Sequence, residues 1–227
     1  MKALPVELSV GPNAAAAAHP ALDQGSLLRA VGELAARDPD LAAIAERFGP
    51  PPLWDRPAGF ATLVHMILEQ QVSLQSAGAA FARLSAEVSP LTPAGFLALD
   101  DAQLLAIGFS RQKAAYARGL AAALESGELE LDSLHALSDE QAHRRLVALK
   151  GIGPWTAGIY LLEVLLRPDI WPAADIALAQ AVAEAKGLPR RPAAAELETI
   201  GDAWRPWRSV AARLFWHDYL SRRGRSL

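Results

Sequence analysis

The stretch that most constrains the fold is Leu149–Ala157, which reads LKGIGPWTA. Gly151 and Gly153 stand one residue apart between two segments of helical periodicity, so the backbone can turn sharply there and approach a partner closely. Pro154 suits the first position of the second helix, where its missing N–H would have no partner. Such a turn presents N–H groups that attract phosphate at a helix N-terminus, but a Gly-x-Gly turn alone more often only joins two helices.

Apolar residues follow helical spacing along most of the chain. Phe60, Leu63, Val64, Ile67 and Leu68 occupy positions i, i+3, i+4, i+7 and i+8 of one buried helix face. No β-hairpin signal appears, so the sequence predicts an all-α fold. The predicted helices run from Ser73 through Val88, from Ser110 to about Ser126, from Ser138 to about Leu149, from Pro154 to about Leu166, from Ile176 to about Lys186, and from Pro206 to about Leu220. Another helix is predicted to begin with Thr92 as its N-cap and Pro93 as its first residue. Ser138 and Gln141 form a capping box.

The Pro-rich stretches Pro50–Pro52 and Pro168–Pro172 are natural crossing points between two helical lobes. Residues 1–25 show no sustained period and are predicted to form an N-terminal tail. The predicted lobes are residues 50–167, which carry the hairpin, and a discontinuous lobe of residues 26–49 plus 168–227.

The composition excludes several classes of site. The 227 residues contain no Cys, so disulfide scaffolds, thiolate zinc sites, iron-sulfur clusters and cysteine nucleophiles are excluded. No apolar run approaches the roughly 20 residues needed to cross a bilayer, and no convincing signal peptide precedes the helices. We therefore expect a cytoplasmic protein that does not contact membranes.

Charge is unevenly distributed along the chain. The net charge of −3 gives no overall attraction to nucleic acid, yet residues 186–227 carry nine Lys and Arg against four acids. Two smaller basic clusters lie at residues 111–118 and 144–150. These clusters are either solvated helix faces, the commoner case, or part of a nucleic-acid surface.

Three strings together resemble one known family. Leu149–Ala157 resembles the helix-hairpin-helix element of the DNA base-excision glycosylase superfamily, and Ile67–Ser73 and Trp204–Ser209 followed by Trp216 resemble its 3-methyladenine DNA glycosylase II type. The resemblance covers about residues 26–222. It implies two helical lobes with the active site in the cleft between them.

The resemblance implies that Asp175, twenty residues after Trp155, is the catalytic carboxylate. On the residues alone, Asp175 would simply cap the helix that begins at Ile176, and both roles are compatible. A fixed anion stabilises the positive charge that develops on the sugar C1′ as the N-glycosidic bond breaks.

Trp155 stands where the bifunctional members of the superfamily carry a lysine nucleophile. An indole cannot form a Schiff base, so the resemblance implies a monofunctional enzyme without AP-lyase activity. Trp155, Trp216, Ile159 and Tyr160 are expected to line the base pocket, where electron-rich rings attract a cationic alkylated base. For Trp216, simple core packing is the alternative.

The resemblance also assigns the DNA contacts. The hairpin residues Leu149, Lys150, Gly151, Ile152, Gly153 and Thr156 are expected to hold the DNA backbone, with Lys150 facing phosphate. Gln70 and Gln71 are expected to enter the duplex as the target nucleotide leaves it. The main-chain carbonyls of Val147, Leu149 and Ile152 are expected to hold a structural monovalent cation, Na⁺ or K⁺, and no other cofactor is expected.

The function implied is excision of alkylated bases, such as 3-methyladenine and 7-methylguanine, from double-stranded DNA by a monomeric enzyme that leaves an abasic site. The alternatives are a glycosylase for deaminated or oxidised bases, a non-catalytic helix-hairpin-helix DNA-binding module, or a helical interaction protein without a DNA role.

Overall fold

A computed structural model describes residues 21–225. These residues form twelve α-helices, two short 3₁₀ helices and no strand, so the all-α prediction is confirmed. The α-helices are α1 (Gln24–Arg37), α2 (Pro39–Phe48), α3 (Phe60–Glu69), α4 (Leu74–Glu87), α5 (Pro93–Leu97), α6 (Asp101–Ile107), α7 (Arg111–Glu125), α8 (Asp139–Val147), α9 (Pro154–Glu163), α10 (Ile176–Ala185), α11 (Ala194–Gly201) and α12 (Arg208–Ser221). The 3₁₀ helices are Asp132–Ala136 and Asp202–Trp204.

The predicted helix starts at Ser73, Thr92, Ser110 and Ser138 are confirmed, because each side chain accepts a hydrogen bond from an amide in the first turn. The last helix begins two residues later than predicted, after the 3₁₀ turn. Helix α9 ends earlier, at Glu163, since the next two amides both donate to one carbonyl of the preceding turn. Of the predicted tail, residues 1–20 lie outside the described part, and α1 already begins at Gln24.

The helices pack in two groups. Helices α1, α2, α10 and α12 contact one another, so the beginning and the end of the described chain meet. Helices α3 to α9 form the other group, with α3 packed against α4, α7 and α9. The predicted domain boundaries stay predictions, since a contact between helices is not a measure of independent folding.

Arg213 joins the two groups from within the core. Its side chain is fully buried and donates to the carbonyl oxygens of Leu53, Leu162 and Ser209 at 2.8 to 3.1 Å. Burial lowers the pKa of this guanidinium to about 10. A buried cation that satisfies three carbonyls fixes the segment before α3 and the end of α9 against α12.

The basic C-terminal segment is largely neutralised by acids of this same chain. Its ion pairs are Lys186 with Asp38 and Asp40, Arg190 with Glu196, Arg205 with Asp169 and Asp202, Arg208 with Asp169, Arg222 with Asp218, and Arg223 with Glu184. These side chains therefore hold the helical group together and do not form one free cationic surface.

Candidate active site

Asp175 is held by three donors at the start of α10. Its Oδ1 accepts hydrogen bonds from the Leu178 amide at 2.6 Å and from the Trp216 indole Nε1 at 3.4 Å. Its Oδ2 accepts a hydrogen bond from the Trp155 indole Nε1 at 2.9 Å. The carboxylate is therefore a helix cap and a fixed anion at once, with its orientation set from two other helices. The half-buried Asp175 lines a cleft of about 960 Å³ together with the hairpin.

The two indoles orient the carboxylate through their N–H groups. Trp155 is half-buried and lines the cleft, whereas Trp216 is only 7% exposed. The sequence predicted both as stacking surfaces for the base, and it gave no sign that both N–H groups point to one acceptor. No sequence pattern signals this arrangement, because the two indoles lie 20 and 41 positions from Asp175.

Of the four residues predicted for the base pocket, three do not line the cleft: Trp216, Ile159 and Tyr160. Tyr160 has no exposed surface, and burial raises the pKa of its hydroxyl to about 12. Ile159 is 5% exposed and belongs to the same core. Both side chains thus pack in the core of this structure, and their place in the base pocket stays a prediction.

The hairpin lies between α8 and α9, as predicted. Gly151 has a φ of +98°, and the Ile152 amide donates to the Leu149 carbonyl at 3.0 Å. A Cβ at Gly151 would come within 2.3 Å of the Tyr116 ring, so only glycine fits this turn. Within residues 21–225 no side chain caps the N-terminus of α9, which leaves its first amides available to an anion.

Lys150 is exposed on this turn and makes no hydrogen bond or ion pair with any residue between 21 and 225. Ile152 and Thr156 are buried, at 3% exposure each. Of the predicted hairpin residues, Lys150 therefore presents charge to solvent, and the other two anchor the turn.

The two predicted wedge residues have different roles. Gln70 donates through Nε2 to the Gly151 carbonyl at 2.9 Å and to Thr156 Oγ1 at 3.2 Å, so its side chain is committed to the hairpin. Gln71 is exposed, lines the cleft and has a left-handed φ of +58°. Both residues line the cleft, but in this structure only Gln70 is bonded to the hairpin; the insertion of either residue into a duplex stays a prediction.

Sequence reasoning missed two groups of charged side chains beside the cleft. Lys113 lines it and donates to the Leu68 carbonyl at 2.7 Å, and burial lowers its pKa. Arg56 forms ion pairs with Glu69 at 3.0 Å and with Glu163 at 2.7 Å. No pattern of neighbouring residues predicts these three contacts, because the partners are 13 to more than 100 positions apart in the sequence.

Comparison with known proteins gives this arrangement a family. The sequence model of the "HhH-GPD superfamily base excision DNA repair protein" matches residues 64–207. The chain belongs to the HhH-GPD superfamily. The family expectation drawn from the three strings is thereby confirmed. The matched range holds the hairpin, Asp175 and the turn at residues 70–72 between α3 and α4, which is called the wedge turn below after its predicted role.

Individual relatives of this HhH-GPD chain carry informative names. It is 30% identical over 118 residues to a DNA-3-methyladenine glycosylase of Bacillus subtilis, covering 52% of this chain and 39% of that protein. It is 29% identical over 161 residues to DNA-3-methyladenine glycosylase 1 of Schizosaccharomyces pombe, covering 69% and 71%. A solved DNA-3-methyladenine glycosidase of Bacillus halodurans superposes with a TM-score of 0.74 at 28% identity, covering 86% and 91%.

The chain spans about two fifths of the length of the first curated relatives that it matches. No helix within residues 21–225 is long and apolar enough to span a membrane.

Proposed function

We propose that this chain is a monofunctional DNA glycosylase that removes alkylated bases, such as 3-methyladenine and 7-methylguanine, from double-stranded DNA. The observation that carries the proposal is the Asp175 carboxylate, held by one amide and two indole N–H groups in the cleft that the hairpin also lines. The names of the relatives support the substrate class.

The cleft supplies each part that base excision needs. The α9 amides and Lys150 offer a phosphate site at the 960 Å³ cleft, and the exposed Gln71 lines the same cleft. We infer that the nucleotide is extruded between them and that Gln71 fills the gap in the stack. The sugar C1′ would then face Asp175.

The reaction needs little beyond this anion. In a cationic N-alkylated purine the C1′–N bond breaks with its electron pair moving to the base, which leaves neutral, so no proton has to be donated to it. Asp175 stabilises the positive charge that remains on the sugar, and water adds to C1′ while losing its proton. The product is free base and an abasic site.

The proposed absence of AP-lyase activity rests on the two lysines near the cleft. Lys113 Nζ is engaged with the Leu68 carbonyl at 2.7 Å, and Lys150 lies on the outer hairpin turn. The residue that contacts Asp175 from α9 is Trp155, whose indole nitrogen already donates to the carboxylate. We therefore expect no Schiff base with the abasic sugar.

The carbonyls of Val147, Leu149 and Ile152 belong to one turn and could hold a monovalent cation. Carbonyl oxygen suits Na⁺ or K⁺, and within the described residues no group of three His, Asp or Glu side chains could hold a metal ion. Bound there, the cation would add positive charge beside a DNA phosphate. We propose it as a structural ion only.

Asp175→Asn tests the proposal. Base release from duplexes containing 3-methyladenine or 7-methylguanine should fall at least about a hundredfold, since one fixed electrostatic contact to a transition state is worth about 10²–10³ in rate. Binding to abasic-site DNA and thermal stability should change little, because asparagine can still cap α10.

The matched control is Asp100→Asn, which makes the same change at the N-cap of α6. It should leave base release unchanged. Retention of near wild-type turnover by Asp175→Asn would refute the catalytic assignment, and DNA binding without any base release by the wild type would favour the non-catalytic module. A protein–DNA adduct trapped by borohydride would refute the monofunctional assignment.

A further inference from the structure

Three contacts hold the end of α3 immediately before the wedge turn is completed. The Leu68 carbonyl accepts a hydrogen bond from Lys113 Nζ of α7 at 2.7 Å. The Glu69 carboxylate accepts hydrogen bonds from Arg56 Nη1 at 3.0 and 3.2 Å. Gln70 is bonded to the hairpin. Three consecutive residues are therefore bound to three different parts of the chain.

The wedge turn itself is short and strained. Only residues 70–72 connect α3 to Ser73, the N-cap of α4. The exposed Gln71 has a left-handed φ of +58°, which a residue with a side chain adopts only at a cost in free energy. Such a conformation persists where the surrounding structure over-determines it. The direction in which Gln71 leaves the protein is thus set by the ends of the turn, above all by the end that the three contacts hold.

Glu69 is an unfavourable last residue for a helix. The helix macrodipole disfavours negative charge at the C-terminus, and Glu69 ends α3. Its side chain is only 9% exposed, so water screens the charge little. His65 Nε2 lies 3.6 Å from Glu69 Oε1, but burial lowers the pKa of this imidazole. Arg56 is therefore the cation that balances Glu69.

Arg56 is itself fixed to the core of the protein. Its backbone amide donates to the Glu163 carbonyl at 2.9 Å, and its Nε lies 2.7 Å from Oε2 of the same residue. Glu163 is the last residue of α9, the helix that begins at the hairpin. Three residues before Arg56, the Leu53 carbonyl accepts a hydrogen bond from the buried Arg213 of α12. One planar guanidinium thus connects the end of α9 to the end of α3.

Glu69 lines the catalytic cleft and Arg56 does not, so Arg56 can act on the reaction only through Glu69. We propose, resting on the glycosylase function proposed above, that Arg56 is a positioning residue for extrusion of the nucleotide. By holding Glu69 against α9, it keeps the wedge turn oriented for insertion before DNA binds. The turn then loses little conformational freedom on insertion, which favours the extruded state of the nucleotide.

Arg56→Lys tests the proposal, because lysine keeps the positive charge but lacks the planar fork that reaches both carboxylates. In one duplex 7-methylguanine is paired with cytosine, and in a second it lies opposite an abasic-site analogue, where extrusion costs less. Single-turnover base release from the paired lesion should fall about tenfold, the effect of losing one charge-assisted contact. Release from the unpaired lesion should stay within about twofold of the wild type. A variant that was merely less well folded would be slower on both duplexes.

Two other variants frame this result. Asp175→Asn should slow release from both duplexes alike, because it removes the proposed catalytic group and leaves extrusion unchanged. Arg190→Lys is the matched control, since Arg190 binds both oxygens of Glu196 at 2.6 and 2.7 Å and does not line the cleft. It should release the base from both duplexes at the wild-type rate.

Glu69→Ala removes the same contact from its other end and serves as the test if Arg56→Lys does not fold. It should show the same selective loss on the paired lesion. The double variant should be no slower than either single variant, because the two side chains act as a unit. Wild-type release from the paired lesion by either variant, or an equal loss on both duplexes, would overturn the proposal. A wild type that releases no alkylated base from either duplex would instead refute the proposed function.

Discussion

The variant Gln70→Ala shows whether Gln70 stabilises the free protein or acts only by inserting into DNA. A residue that only inserts into DNA is free in the unbound protein, and its loss costs no stability. Gln70 instead donates to the Gly151 carbonyl at 2.9 Å and to Thr156 Oγ1 at 3.2 Å, which ties the wedge turn to the hairpin. Removal of the amide should therefore destabilise the protein before any DNA is added.

The magnitude follows from the two hydrogen bonds. Each is worth about 1 kcal/mol net, and the second acceptor, Thr156, is 3% exposed and is not easily reached by water. The expected loss is about 1–2 kcal/mol in the free energy of unfolding. For a domain of this size, that loss lowers Tm by about 2–8 °C.

Urea denaturation followed by circular dichroism measures this loss, with an unchanged m-value as the check that both variants unfold alike. Gln71→Ala is the matched control, since that side chain is exposed and its change should stay within about 0.5 kcal/mol. Both variants should slow base release, Gln70→Ala by loosening the hairpin and Gln71→Ala by removing the wedge. Equal stability of Gln70→Ala and the wild type would refute the stabilising role of Gln70.

Two further predictions concern charge. A plot of the logarithm of the affinity for duplex DNA against the logarithm of the salt concentration should have a slope of about −0.9 per phosphate neutralised. Lys150→Ala should reduce the size of that slope by about one unit, whereas Arg190→Ala should not, because Arg190 is paired with Glu196. An affinity that does not depend on salt would contradict a phosphate site at the hairpin. The pKa of Glu163 is raised by burial from 4.5 to about 7, so the folded state binds the extra proton and stability should decrease by up to about 3 kcal/mol as pH rises from 4.5 to 7. Urea titrations at several pH values should show a weaker pH dependence of the free energy of unfolding in Glu163→Gln. An unchanged pH dependence in this variant would show that Glu163 is not its source.

The sequence predicted well whatever depends on neighbours along the chain. The caps at Ser73 and Ser138 bind amides three residues away, and the hairpin at Gly151 turns within a few residues. Such interactions form wherever the local backbone adopts the conformation, so their residue patterns can be recognised without a fold. The family strings and Asp175 could be recognised for the same reason, since they are short and contiguous or lie at one spacing.

The tertiary structure alone decided which side chains are free and which are committed. Gln70 meets the hairpin across 81 positions, and Lys186 meets Asp38 across 148. Gln70, which the sequence suggested as a DNA wedge, and Lys186, which it placed in a basic tail, both make contacts within the protein. A polar side chain takes whichever partner the packed core brings within about 3 Å, and no pattern along the chain records that choice.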